Sequence, residues 1–304
     1  MLTLPRPYTL PGETTSPSRC FVLSLALPGG KWLRAAEFHP GNSAVVRHAI
    51  LYADATGTAR RLEAGSGAGG YVARDAGLGA DADRLTEWAV GSGPSMLPAG
   101  VAERLPAGAD LVLLLRFEPD GQPETVRPQV GLYYAAQPPQ TSPVTLILGA
   151  RDLILRSAQK ASLTDAFTLP VGARLLRVAP HAHPVCRTLQ LTALPPAGPA
   201  RTLLQINDWN ADWQDSYQLT APPTLPAGTR LSARWILDNS ADNPRNPSTP
   251  PMTVMPGLLY LDDMATVRLQ LLPANPADAS TLDKALTAPR PAPAIRATRP
   301  TRHG

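Results

Sequence analysis

Two cysteines in a chain of 304 residues cannot build a disulfide-dependent scaffold, and the sequence leaves open whether Cys20 and Cys186 pair. Aromatic residues are scarce, at 5%, and none is interleaved with basic residues as a nucleic-acid platform requires. The formal charge of +4 points to no acidic partner, because Lys284, Arg290, Arg296, Arg299 and Arg302 follow Asp283 without a single acid and outweigh it on their own. No apolar run is long enough to cross a bilayer, which argues against a membrane span. The opening Met1-Leu2-Thr3-Leu4-Pro5-Arg6-Pro7 lacks the basic-then-apolar order of a signal peptide. No serine or cysteine nucleophile is accompanied by a plausible base, and no paired-carboxylate motif stands out, which sets hydrolase chemistry aside. The glycine-rich stretch 65–70 lacks the Lys-Ser/Thr ending of a phosphate-binding loop and reads as a flexible loop.

What the chain does have is 35 prolines, 23 glycines and 43% hydrophobic residues. That much proline is hostile to long helices, while runs of Val, Leu and Thr between turn residues suit short strands, so the fold class is all-β. Strand-like runs appear at 21–25, 32–38, 45–54, 84–90, 111–117, 130–134, 144–148, 175–183, 189–194, 203–206, 231–237 and 266–271. Gln137-Pro138-Pro139-Gln140-Thr141-Ser142-Pro143 is the expected hinge, separating a first domain over 1–138 from a second over 144–272. From 273 to 304 Ala, Pro and Arg dominate without periodicity, and disorder is expected.

The most informative stretch is Leu175-Leu176-Arg177-Val178-Ala179-Pro180-His181-Ala182-His183. Side chains alternate along a strand, so His181 and His183 project to one side with Cα atoms roughly 7 Å apart, close enough to share a metal ion. Only five histidines exist in the chain, and imidazole is the commonest ligand for copper and zinc. Cys186, three residues on, is open to two readings: an extra thiolate ligand or an inert core residue. Asp208-Trp209-Asn210-Ala211-Asp212 opens like a calcium loop, but Trp213 stands where glycine must turn and Leu219 where the bidentate glutamate belongs. It is expected to cap a loop near the metal instead.

Ile206-Asn207-Asp208-Trp209-Asn210-Ala211-Asp212-Trp213-Gln214, the run from Leu237-Asp238-Asn239 to Thr249-Pro250-Pro251, and Leu261-Asp262-Asp263-Met264 follow in order. With Gly41-Asn42-Ser43-Ala44-Val45-Val46-Arg47-His48-Ala49 and Leu105-Pro106-Ala107-Gly108-Ala109-Asp110-Leu111, this order resembles the copper type II, ascorbate-dependent monooxygenases. Those are the peptidylglycine and dopamine hydroxylating enzymes, and the likeness is greatest to their bacterial branch. It extends over roughly residues 5 to 272.

The resemblance implies two jelly-roll-like β-sandwich domains side by side and an exported location. It also implies that His181, His183 and Met264 hold the oxygen-activating copper, with no catalytic residues beyond these ligands. Met252 and Met255 compete with Met264 if the register differs by a loop. It implies a copper- and ascorbate-dependent hydroxylation of a C–H bond with dioxygen, on a small-molecule or peptide substrate the sequence does not identify. Relatives carry a second, electron-relaying copper on an adjacent histidine pair and a third histidine. Here those positions are Arg47, His48 and Arg116, a degenerate first copper site; guanidinium groups stay protonated and repel cations. Glu118 is placed to balance that charge, and His39 reads as a surface residue. One copper ion is therefore expected, with ascorbate or another external reductant if the chain is active. The alternatives are a non-catalytic one-copper binding, carrier or sensor protein, and a metal-free scaffold or interaction protein.

Overall fold

The structure, a computed structural model, describes residues 1–14, 18–25, 27–67, 69–79, 82, 84–211, 215–255 and 264–297. The described residues up to 142 form one compact unit and those from 143 onward a second.

The first unit contains β1 (Leu2–Thr3), β2 (Tyr8–Leu10), β3 (Ser18–Ser24), β4 (Lys31–His39) and β5 (Val46–Asp54), then helix α1 (Thr58–Ser66). It continues with β6 (Arg84–Ala89), β7 (Ser95–Met96), β8 (Glu103–Leu105), β9 (Asp110–Phe117), β10 (Glu124–Val126) and β11 (Gln129–Tyr134). One antiparallel sheet runs β1-β11-β4-β7, with β8 also on β4, and another runs β3-β9-β5-β6. Their facing sides close a core that includes Leu33, Ala36 and Val130 from one sheet and Leu51, Leu111, Leu113 and Leu115 from the other. The unbroken run 111–115 has a simple cause. Val112 and Leu114 point to the opposite face, where Ala59 of α1, Tyr71 and Ala76 cover them in a second small core, so β9 is buried on both sides.

Helix α1 departs from the expected flexible loop, since it extends through Gly65 and Ser66 before ending at Gly67 with φ 67°. Good helix formers from Ala59 to Ala64 outweigh the glycine at 65, and the left-handed Gly67 closes the last turn. The motif at 41–49 begins with another positive-φ glycine. A Cβ on Gly41 would lie 2.5 Å from the Arg127 carbonyl oxygen, so only glycine fits the turn that launches β5.

The second unit contains β12 (Val144–Ala150), β13 (Lys160–Thr168), β14 (Ala173–Ala182), β15 (Cys186–Leu194), β16 (Arg201–Ile206) and β17 (Tyr217–Gln218). After these come β18 (Thr224–Leu225), β19 (Arg230–Asp238), β20 (Ala265–Pro273), helix α2 (Ala279–Thr287) and β21 (Ala294–Ala297). Its sheets run β12-β20-β14-β17, with β18 also on β14, and β16-β15-β19-β13-β21. The core between them takes Leu146, Val178, Val267 and Leu269 from the first and Leu163, Leu189, Trp235 and Leu237 from the second. Both units are thus antiparallel β-sandwiches, as the all-β pattern implied.

The expected disorder from 273 is corrected as far as residue 297. Asn275 accepts the Ala277 N–H at 3.1 Å and Pro276 opens the turn, a helix start that composition alone conceals. Leu282, fully buried, and Leu286 sit four apart and anchor α2 to the core. Arg290 then donates to the Ile147 carbonyl at 2.6 Å, lies 3.7 Å from the buried Asp165 carboxylate and stacks over Phe167. These contacts lead β21 into register on the β13 edge, Ala297 opposite Ala161.

Candidate metal centre

Strand β14 pairs with β20 so that His181 lies opposite Thr266 and Ala182 opposite Ala265. The register continues one step past the strand, where the His183 N–H donates to the Met264 carbonyl at 3.0 Å. Directly opposed residues of an antiparallel ladder share a face, with Cβ atoms about 4.5–5.5 Å apart. His181, His183, Thr266 and Met264 therefore occupy four adjoining positions, while Ala182 and Ala265 face the core. All four are buried: His181 at 5%, His183 at 7%, Thr266 at 0% and Met264 at 1% exposure. Met264 belongs to the hydrophobic core along with Ala182 and Ala265, whereas the histidines and Thr266 do not, so its position adjoins theirs through the backbone register. Met252 and Met255, at 61% and 41% exposure, lie on the surface, so the register favours Met264 as the thioether of this set. Asp262 and Asp263, the acids quoted with Met264, fall outside the described residues, as do Asp212 to Gln214.

The backbone around the histidines is held by β20 on one side and by loops on the other. Residues opposed through Ala182 turn their peptide groups away from β20, towards an edge that β17 and β18 cover only at 177–178 and 173–174. Pro180 sits on that edge, where a missing N–H costs no ladder bond. The Ala182 carbonyl there accepts the indole N–H of Trp209 at 3.2 Å. Trp209 is buried at 1% exposure, and its own N–H donates to the Arg187 carbonyl at 2.9 Å. Arg245 clasps Asp208 in a two-pronged ion pair and donates to the Trp209 carbonyl at 2.8 Å. Arg187 donates to Asn243 at 2.8 Å, closing the network onto the loop that follows β19. The loop cap expected at 208–212 is present as far as Ala211; the sequence did not reveal that its tryptophan reaches the peptide between the histidines.

Cys186 stands just after the histidine turn but belongs to the core, fully buried, with its sulfhydryl donating to the Thr188 carbonyl at 3.5 Å. Burial pushes its thiol far above the usual range, so the metal-binding thiolate is disfavoured and the inert core reading is the one the geometry supports. Cys20 is likewise buried and pushed up to about 12, and both cysteines are free thiols.

In the first unit, His48 lies on β5 opposite Arg116 of β9 and Ala89 of β6. Its Nε2 is 2.7 Å from Glu87 Oε1, with both side chains largely buried. A register shift between Val46 and His48 turns Arg47 outward, where it pairs with Glu118. Of the three positions that the resemblance offered as a degenerate copper site, His48 and Arg116 are register partners and Arg47 is turned away from them. His48 is engaged by a carboxylate, Arg47 points elsewhere to an acid of its own, and Arg116, opposite His48 in the ladder, carries a permanent cation that cannot act as a ligand. Glu87, 39 residues away in sequence, carries no local signal that would have revealed it as the partner of His48. His39 is exposed and 3.2 Å from Glu37.

Among the described residues no three His, Cys, Asp or Glu side chains gather where they could hold a metal. An ion in the second unit would therefore rest on two imidazoles and take its further donor from outside that set, and the Met264 thioether is what the register offers. The donor chemistry suits copper: imidazole accepts both oxidation states, and a soft thioether favours Cu(I). No family model matches the chain, and no curated protein matches it.

Proposed function

We propose that the second unit binds one copper ion through His181, His183 and Met264, making the chain a one-copper counterpart of the ascorbate-dependent monooxygenases. The observation that carries this is the β14–β20 register, which puts two buried imidazole positions and a buried thioether position side by side. When bound, copper supplies one-electron chemistry towards dioxygen for insertion of an oxygen atom into a C–H bond. The chain's own contribution is positional. Burial keeps bulk water from the rings, the β20 ladder fixes the spacing of the two histidines, and the Asp208–Arg245 loops hold the peptide between them.

The first unit favours a second reading, a non-catalytic copper carrier or sensor. With His48 engaged by Glu87 and Arg116 opposite it in the ladder, that unit offers no relay ion, and reducing equivalents have to come from an outside donor such as ascorbate. Copper per chain after anaerobic loading with Cu(I), repeated on His181→Ala and Met264→Ala, tests the site. One ion that both variants lose supports it, two ions return a metal to the first unit, and none leaves only a metal-free scaffold. Oxygen uptake with ascorbate then separates hydroxylase from carrier.

A further inference from the structure

We infer that Trp209 is a positioning residue for the histidine pair, substituting for the strand that β14 lacks on its open side; the inference rests on the copper reading above for its metal-binding consequence. Each backbone carbonyl in a buried strand end needs a donor. Along β14 the β17 and β18 partners stop at Val178 and Arg174, short of the histidines. The Ala182 carbonyl is met instead by the indole N–H at 3.2 Å. Ala182 is the residue between the two rings, so its peptide orientation sets the direction in which both imidazoles leave the backbone. The anchor is itself rigid. Trp209 is 1% exposed, its backbone bonds Arg187 on the neighbouring sheet, and Arg245 holds its carbonyl at 2.8 Å while clasping Asp208. A hydrogen bond made directly to a ligating side chain typically governs metal affinity about 10–100-fold, and that range is the ceiling for one made to the peptide between two ligands.

Trp209→Phe keeps a six-membered aromatic ring and removes the donor along with the five-membered ring that carries it. The expected result is one copper per chain with Cu(I) affinity lowered by up to about 10–100-fold in a chelator competition. In the metal-free protein, hydrogen exchange at the His183 amide, which bonds Met264, should quicken about tenfold or more as the strand end loosens. Leu163→Ala, a core truncation on the opposite sheet, should lower thermal stability without moving either readout. If Trp209→Phe fails to fold, Arg245→Met, which releases the same loop from outside, takes its place with the same expectations. Wild-type affinity and wild-type His183 exchange in the loop variant would overturn the inference, as would an equal loss in Leu163→Ala. A wild-type chain that binds no copper sinks the proposed function instead, and the exchange rate then decides the role of Trp209 alone.

Discussion

Leu282 offers the sharpest test of how the chain ends. It lies in α2, is 0% exposed and belongs to the core of the second sandwich, although composition alone assigns its surroundings to a disordered tail. Leu282→Ala removes three carbons. At about 0.8 kcal/mol per buried methylene the transfer loss is about 2.4 kcal/mol, and an unfilled cavity raises the ceiling to about 5 kcal/mol. A nine-residue helix at the margin of a core can settle inwards, so a loss of about 2–3 kcal/mol is expected. Alanine and leucine have nearly equal helix propensity, so the change isolates docking from helix formation. For a domain of 150–250 residues each kcal/mol moves the thermal midpoint by about 2–4 °C, which gives a drop of about 4–12 °C in the calorimetric transition of the second unit. Lys284→Ala, on the exposed side of the same helix, should stay within about 0.5 kcal/mol of wild type. Equal, negligible effects from both variants would refute the docking and restore the disordered tail.

Neither thiol should react with a disulfide reagent at pH 8 in the native protein, because burial disfavours both thiolates; two per chain should react once guanidinium unfolds it. At Asp54 burial alone would raise the carboxyl pKa, yet hydrogen bonds from the Thr56 hydroxyl at 2.6 Å, the Ala59 N–H at 2.8 Å and the Thr56 N–H at 2.8 Å outweigh it and hold the group below its ordinary value. A depressed folded pKa contributes stability that is present above the unfolded value of about 3.9 and is lost as pH falls through the folded value. The thermal midpoint of Asp54→Asn should therefore lie below that of wild type at pH 7 and converge on it under acid, and a gap that stays constant down to pH 2 would contradict this.

Much of the architecture was written in the apolar runs of the strands. β5, β9, β14, β19 and β20 all fall where runs of Val, Leu and Ile sit between turn residues, alternating where one face is buried, as in β19, and nearly continuous where both are, as in β9. Strand β13 was missed since its sequence, Lys160-Ala161-Ser162-Leu163-Thr164-Asp165, alternates small and polar residues whose outward side looks like a loop. The C-terminal helix was hidden by the prolines and arginines around it, although Asn275-Pro276 and the Leu282/Leu286 spacing are a legible start and stripe. The histidine pair was legible because its spacing is local. The contacts that brace it were not: Trp209 to Ala182 spans 27 residues, Arg245 to Asp208 spans 37, and both depend on how loops from different strands meet.

The two units place a histidine in opposite kinds of environment, and the difference bears on where a metal can be held. His48 sits inside a sheet, opposite Arg116 of β9 and Ala89 of β6, and Glu87, two residues along β6, reaches its ring. A cation reaching that imidazole has to displace a 2.7 Å contact, which opposes binding. His181 and His183 sit where β14 outruns its neighbours, so their surroundings are made by loops and by the single strand β20. A strand end leaves room for donors that a continuous ladder would fill with side chains, at the cost of backbone groups that must find partners elsewhere. Trp209 provides such a partner for the Ala182 carbonyl, Arg245 in turn holds the Trp209 carbonyl, and Pro180 lacks the N–H that would have needed one. The proposed copper ligands thus lie where β14 has β20 on one side only, and the peptide between the two histidines is held from the other side by Trp209, which is distant in sequence.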